Sequence, residues 1–331
     1  MGIRSLTSLI KQKSPDSIQT TSLYKLAGKK VAIDTSIFLY KSLTNVRNNG
    51  EYLTNKDNKI VSHIVGLFYK TIQYLALGII PIYIFDGKPP SEKINTLKER
   101  NKKASECKEL AEKSDSKEEK IKYEKGSIRI QKSHIDDLKK LFNLMGVSYI
   151  HPNGEAEAYA AELCRKGIVD YVISEDMDTL VYGCPKLIRS CLDKSIKRRD
   201  VVSIIDLETI LKDFKMDMSE FIDMCIICGC DYCPTIPKVG TVRSYNYIQT
   251  YKTIEKFIQS GKCSTIPEEF IQKFNGARNL FLSMKDINTI ENIPIIQNQY
   301  KKDMLKVFLI EECSMSEKKI ENSLKKIKPS P

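Results

Sequence analysis

The chain has 331 residues, 41% hydrophobic and 29% charged, and that balance excludes a disordered polymer and allows one large domain or two closely joined ones. Fifty-three Lys and Arg against 42 Asp and Glu leave a net charge of +11, so a polyanion is a fair expectation for a partner. Ten cysteines in so long a chain do not resemble a secreted disulfide scaffold, the opening MGIRSLTSLIKQKSP is too short in apolar residues for a signal peptide, and no apolar run approaches a membrane span, so a soluble, intracellular, non-secreted protein with reduced thiols is expected.

In chain order, KKVAIDTS (29–36) reads as a buried strand ending in Asp34. SHIVGLFYKTIQYLALG (62–78) has helical periodicity, and IIPIYIFDG (79–87) is a second strand, ending at Asp86. Residues 88–140 change character: they are mostly charged, with basic residues in excess, which fits a solvated helical hairpin, a partly disordered insertion or a basic arm over a polyanion. GEAEAYAAELCRKG (154–167) predicts a helix, VDYVISED (169–176) a third strand and KLIRSCL (186–192) a fourth. Strand and helix alternating in this way predict a doubly wound α/β core around a parallel sheet. Beyond residue 200 the pattern is mostly helical, with a Gly turn between two helices expected in IPKVGTVRSYNYIQTY (236–251). Cys225, Cys228, Cys230 and Cys233 fall within nine residues, too tightly for a usual zinc tetrahedron, so they read as small buried hydrophobes rather than ligands of zinc or an iron–sulfur cluster.

Open parallel sheets place their functional crevice beyond the carboxyl ends of the strands. Asp34, Asp86 and Asp176 end three strands there, with Asp178 two residues on. Glu155 and Glu157 open a helix in NGEAEA, and Asp231 closes an apolar helical run. Each acid alone is an ordinary cap or turn former. Together they make an anionic pocket that needs divalent cations, and all-oxygen donors suit Mg²⁺ or Mn²⁺. An acidic pocket in a basic protein suits two-metal phosphodiester hydrolysis on a nucleic acid. No P-loop and no G-x-G-x-x-G fingerprint is present, a phosphatase with an Asp nucleophile would need a second Asp where Ser36 stands, and His63, His134 and His151 are scattered.

From MGIRSL through VAIDTSIFLY, SHIVGLFYKT, YIFDGKPP, NGEAEAYAAEL, SEDMDTLVYG and IICGCDYCPTIPKVG to MSEKKIENSLKKI, the chain resembles the flap endonuclease family, the structure-specific 5′ nucleases of archaea, eukaryotes and some of their viruses. The resemblance implies a 5′-nuclease, PIN-like core: a central parallel twisted sheet with helices on both faces, a helical arch and a helix-hairpin-helix DNA-binding element. It implies an N-terminal nuclease region at 1–104, a gateway and cap at 88–133, an internal region at 119–252 containing the helix-hairpin-helix at 225–251, and a C-terminal helical segment at 253–331. Asp34, Asp86, Glu155, Glu157, Asp176, Asp178 and Asp231 match the family's metal-site carboxylates. Lys93 and Arg100 match its basic catalytic residues and share one helix face. Tyr40 matches an aromatic that stacks on a base. Gly2, Arg47, Lys70, Glu155, Gly229, Asp231, Lys238 and Gly240 fall at or beside positions that meet DNA.

The implied activity is Mg²⁺-dependent cleavage near the base of a 5′ flap, with 5′→3′ exonuclease activity, in replication and repair. The cofactors are two Mg²⁺, with Mn²⁺ able to substitute, and K⁺ at the hairpin turn. The partner is branched DNA bearing a 5′ flap, met by a monomer in a nucleus or at a viral replication site. Two departures stand out. The family's G-x-G turn is Lys238-Val239-Gly240 here, and no Q-x-x-[LIM]-x-x-aromatic-aromatic motif is present, so docking on a sliding clamp by that route is not expected. The alternatives are a mainly 5′→3′ exonuclease relative and a catalytically silent DNA-junction binder.

Overall fold

Alternation along the strands decides the architecture. In the computed structural model, which describes residues 3–48, 51–198, 200–283 and 300–327, seven strands form one sheet. They are β1 (Ile18–Ser22), β2 (Lys30–Asp34), β3 (Ile80–Ile84), β4 (Ser148–Ile150), β5 (Tyr171–Ile173), β6 (Lys186–Ser190) and β7 (Val201–Asp206), in the order β1-β7-β6-β5-β2-β3-β4. Val31 and Ile33 of β2 and Tyr83 of β3 point into one apolar core, while Ala32, Ile82 and Ile84 point into the other. A period of two therefore feeds two cores, which is why the central strands read as continuous apolar runs.

Helices cover both faces: α1 (Leu6–Lys13), α2 (Thr35–Asn45), α3 (Ser62–Ala76), α4 (Ile94–Lys113), α5 (Lys117–Ser127), α6 (Lys132–Met145), α7 (Ala156–Arg165), the short α8 (Asp178–Val181), α9 (Leu207–Phe214), α10 (Met218–Cys228), α11 (Thr241–Tyr251), α12 (Ile254–Gln259), α13 (Glu268–Ser283), α14 (Lys302–Val307) and α15 (Glu317–Leu324). Those numbered 2, 3, 6, 14 and 15 share the core of Val31 and Tyr83; α1, α7 and α9 to α13 share that of Ala32. Tyr83 stacks on Phe142 of α6 at 4.1 Å between centroids, and its hydroxyl meets Thr71 of α3 at 2.7 Å. Among the described residues no helix is long and apolar enough to cross a membrane.

The expected parallel sheet is the centre of a mixed one. β4, β3, β2, β5 and β6 run parallel, whereas β7 pairs antiparallel with β6 and β1 antiparallel with β7. The connection from β6 to β7 is too short to carry a crossover helix, so the chain can only turn back. Residues 88–133 are an ordered helical hairpin of α4 and α5 rather than a disordered insertion. Gly126 lets the two approach: a Cβ there would lie 2.8 Å from Cys107 Sγ. The tight Gly turn expected within 236–251 is instead a longer connection, 229–240, between α10 and α11. Pro234 and Pro237 keep it from extending either helix. Cys225, Cys228 and Cys233 are buried free thiols and Cys230 is half-buried, as the hydrophobe reading expects.

Candidate active site

The acids arrive on short connections at the carboxyl edge of the parallel strands. Asp34 ends β2 and caps α2, its Oδ1 accepting the Ser36 N–H at 3.1 Å. Asp86 follows β3, and its Oδ1 accepts the N–H of Ala156 at the start of α7, at 2.9 Å. That bond needs the two loops to touch. Gly87 permits it, since its N–H donates to the Gly154 carbonyl at 2.9 Å and a Cβ at Gly87 would sit 2.1 Å from the Pro152 carbonyl oxygen. Asp86 is thereby held beside Glu155 and Glu157. After β5 the chain makes an Asx turn in which Asp176 Oδ1 accepts the Asp178 N–H at 3.1 Å.

These carboxylates feel one another. Burial, then the nearby Asp86 and Asp176, pushes Asp34 up to about 8. Burial raises Glu157 strongly, with Asp176 and Asp34 adding to it; burial also raises Asp178 strongly, with Asp176 and Asp231 adding. Asp176 is raised as well, again by burial first. Asp178 Oδ1 is buried and, among the described residues, has no hydrogen-bond partner. Two cations enter the pocket, not from one helix face as expected but Lys93 from the 3₁₀ turn that leads into α4 and Arg100 from α4 itself: Lys93 pairs with Glu155, and Arg100 Nη2 donates to both oxygens of Asp231 at 2.8 and 2.6 Å. Thr96, between them, donates to the Asp231 carbonyl at 2.7 Å. Among the described residues no three His, Cys, Asp or Glu side chains already close on one point as a metal cage. The donor set is nonetheless all oxygen, buried at Asp34, Glu155, Asp176 and Asp178, mutually repulsive and partly orphaned, which is the chemistry a hard divalent cation satisfies.

Glu175, the remaining acid of SEDMD, turns away. Burial pushes its carboxyl up, but Ser190 and Lys41 outweigh that and hold it low; Lys41 is 3.1 Å and Arg189 3.5 Å away. Other expected contacts divide. The Tyr40 hydroxyl reaches the Lys125 carbonyl on α5 at 3.3 Å, tying α2 to the α4–α5 hairpin. Lys70 Nζ lies 4.8 Å from the Tyr74 ring centroid and donates to Gln73; burial, then Lys41, lowers it to about 8. Gly229 has φ +106, and a Cβ there would meet Thr235 at 2.7 Å. Lys238, where the family places its first turn glycine, adopts a left-handed φ of +62, while Gly240 caps α11 in an extended conformation. Gly2 lies outside the described residues, and Arg47 is placed only as part of the short strand Arg47–Asn48. The sequence reading overlooked Ser174, Thr96 and Arg129, whose Nε donates to Asn101 at 3.0 Å and which also bonds the Arg100 carbonyl. A hydroxyl directly before the Glu-Asp pair at a strand end was the available signal for Ser174.

Residues 1–107 match the XPG N-terminal domain and residues 146–231 the XPG I-region. Flap endonuclease 1 of Saccharomyces cerevisiae is 36% identical over 336 residues, which cover 99% of this chain and 87% of the yeast protein. The solved flap endonuclease-1 from Methanococcus jannaschii is 28% identical with a TM-score of 0.72, covering 98% of each chain. The Holliday junction-resolving enzyme GEN1, in complex with product DNA, Mg²⁺ and Mn²⁺, shares the fold at 19% identity and a TM-score of 0.67, over 97% of this chain and 77% of that one. The two matched regions thus make the chain a nuclease of the XPG class. Within that class, the chain belongs to the flap endonuclease family. Its activity is that of a structure-specific 5′ flap nuclease, a hydrolase that cleaves DNA.

Proposed function

We propose that the chain cuts near the base of a 5′ flap by Mg²⁺-dependent hydrolysis at the acidic edge, with Asp34, Asp86, Glu155, Glu157, Asp176, Asp178 and Asp231 as the residues that hold two metal ions. The carrying observation is that Asp34, Glu157 and Asp178 are raised together, by burial and by their acidic neighbours, with Asp178 Oδ1 buried and unpartnered among the described residues. When bound, Mg²⁺ or Mn²⁺ supplies the charge that lets a phosphodiester approach these acids and be attacked by water. Lys93, from the turn that precedes α4, and Arg100, from α4, leave Glu155 and Asp231 to bind the scissile phosphate and stabilise the charge that grows on it. Tyr40 presents a ring between α2 and the arch for the base beside the cut. The flap passes through the gateway of residues 88–133. Duplex DNA is met by Gly2, Arg47, Lys70 and Gly229 and by the 229–240 connection, where Lys238 and Gly240 take a phosphate and K⁺ is bound. The protein works as a monomer on branched DNA, in a nucleus or at a viral replication site, and trims 5′ ends exonucleolytically as a lesser activity.

The test is cleavage of a 5′-labelled double-flap DNA by wild type and by Asp178→Ala, each with Mg²⁺ and with EDTA. A short labelled product only from wild type with Mg²⁺ is expected. Mononucleotides released from the 5′ end instead would make exonucleolysis the main activity, and cutting that survives EDTA would refute the metal reading.

A further inference from the structure

Ser174 is fully buried at the carboxyl end of β5, and its hydroxyl is used twice. It donates to Asp34 Oδ2 at 3.0 Å and accepts the Asp176 N–H at 3.0 Å. With Asp34 ionised, as a metal ligand must be, the polarity is determined: the backbone N–H can only donate and the carboxylate only accept, so the single hydroxyl proton goes to Asp34. The hydroxyl is itself anchored, because the Ser174 N–H donates to the Ile188 carbonyl of β6 at 3.2 Å. With Oδ1 of Asp34 already taken by Ser36, the Ser174 proton settles which way the second oxygen faces. The same hydroxyl holds the start of the turn that presents Asp176 and Asp178.

We propose that Ser174 is a positioning residue for the metal site, one side chain that orients Asp34 and the Asp176–Asp178 turn together and so sets metal affinity without touching the metal. The proposal rests on the reading of these carboxylates as metal ligands. Partners of ligands are generally worth about 10–100-fold in metal affinity or activity. Removing the hydroxyl leaves a buried Asp176 N–H unpaired and frees Asp34 to rotate.

The experiment is Mn²⁺ binding to the full chain without DNA, followed by the loss of the free-ion paramagnetic resonance signal, for wild type, Asp178→Ala, Ser174→Ala, Ser174→Cys and Ser174→Thr. Saturable binding by wild type that Asp178→Ala abolishes secures the underlying reading; its absence would overturn that reading and the proposal with it. Given that binding, Ser174→Ala is expected to weaken Mn²⁺ by about 10–100-fold, and Ser174→Thr, which keeps a donor in place, to restore it. Cys fills the space of Ser but donates weakly, so Ser174→Cys should lose affinity too, and it carries the test if the Ala variant does not fold. Wild-type affinity in folded Ser174→Ala or Ser174→Cys, or no restoration by a folded Ser174→Thr, would leave the hydroxyl a structural role only and refute the proposal.

Discussion

Lys238 shows how a single residue can carry a local cost. A non-glycine side chain in the left-handed region is strained by roughly 1–2 kcal/mol, and Lys238 sits there at φ +62. Lys238→Gly should therefore raise stability by up to about 1 kcal/mol, the looser unfolded chain offsetting part of the relief. It should also weaken DNA binding modestly, since one exposed positive charge is lost. Thermal melts and DNA titrations measure the two effects, and a less stable variant would show that the lysine makes a contact worth more than its strain. The acids make the converse case. Asp34 titrates near 8 in the fold and near 4 when unfolded, so its protonated form stabilises the protein below about 4 and that contribution is lost as pH rises through about 8. In EDTA the melting temperature should rise as pH falls from about 8 to about 5, and Mg²⁺ should flatten that slope by stabilising the ionised carboxylates. Asp178→Asn removes one of the repelling charges: it should melt higher than wild type in EDTA yet cut no DNA. A lower melt would mean that the Asp178 carboxylate is already compensated without metal.

At the scale of elements, α4 and the turn that leads into it carry two ion pairs of unequal kind. Lys93 is 15% exposed against a Glu155 side chain that is 5% exposed, so removing the ammonium strands a buried carboxylate at a cost of about 3–5 kcal/mol. Arg100 is 41% exposed, and its pair with Asp231 is worth about 1 kcal/mol or less. In EDTA, Lys93→Ala should melt well below Arg100→Ala, and added Mg²⁺ should recover most of the difference by taking over the charge of the ammonium. Both variants should lose cleavage by about 10²–10³-fold, as loss of a preorganised transition-state contact does. Equal melts for the two in EDTA would deny the distinction. The elements also show what could be read in advance. The three strands that deliver Asp34, Asp86 and Asp176 were legible because both of their faces are buried, which leaves continuous apolar runs. β1 was not, because IQTTS lies at a sheet edge with little of its surface buried. β7, VVSIID, was lost in a region whose prevailing pattern is helical, and with it the antiparallel edge. The acids could be collected from strand and helix ends, but the partners of Lys93 and Arg100, the outward turn of Glu175 and the bridge made by Ser174 are matters of side-chain direction that spacing does not encode.

For the whole molecule, the two signs of charge are divided by depth. The buried acids at the sheet edge are few, whereas the surplus of +11 is spread over the chain, so the field met by approaching DNA is positive and the acidic pocket is felt only at contact. Binding should then be governed by release of counterions from the DNA, with log affinity falling by about 0.9 per phosphate neutralised for each tenfold rise in salt. With several basic side chains engaged along two duplex arms, affinity for a double-flap DNA should fall by about 10³-fold or more between 50 and 200 mM salt. Fluorescence anisotropy in EDTA measures this without cleavage, and Lys238→Gly should lower the slope by about one phosphate contact. A neutral junction-reading surface would show almost no salt dependence. Such a result would mean that the basic excess serves solubility and does not hold the substrate.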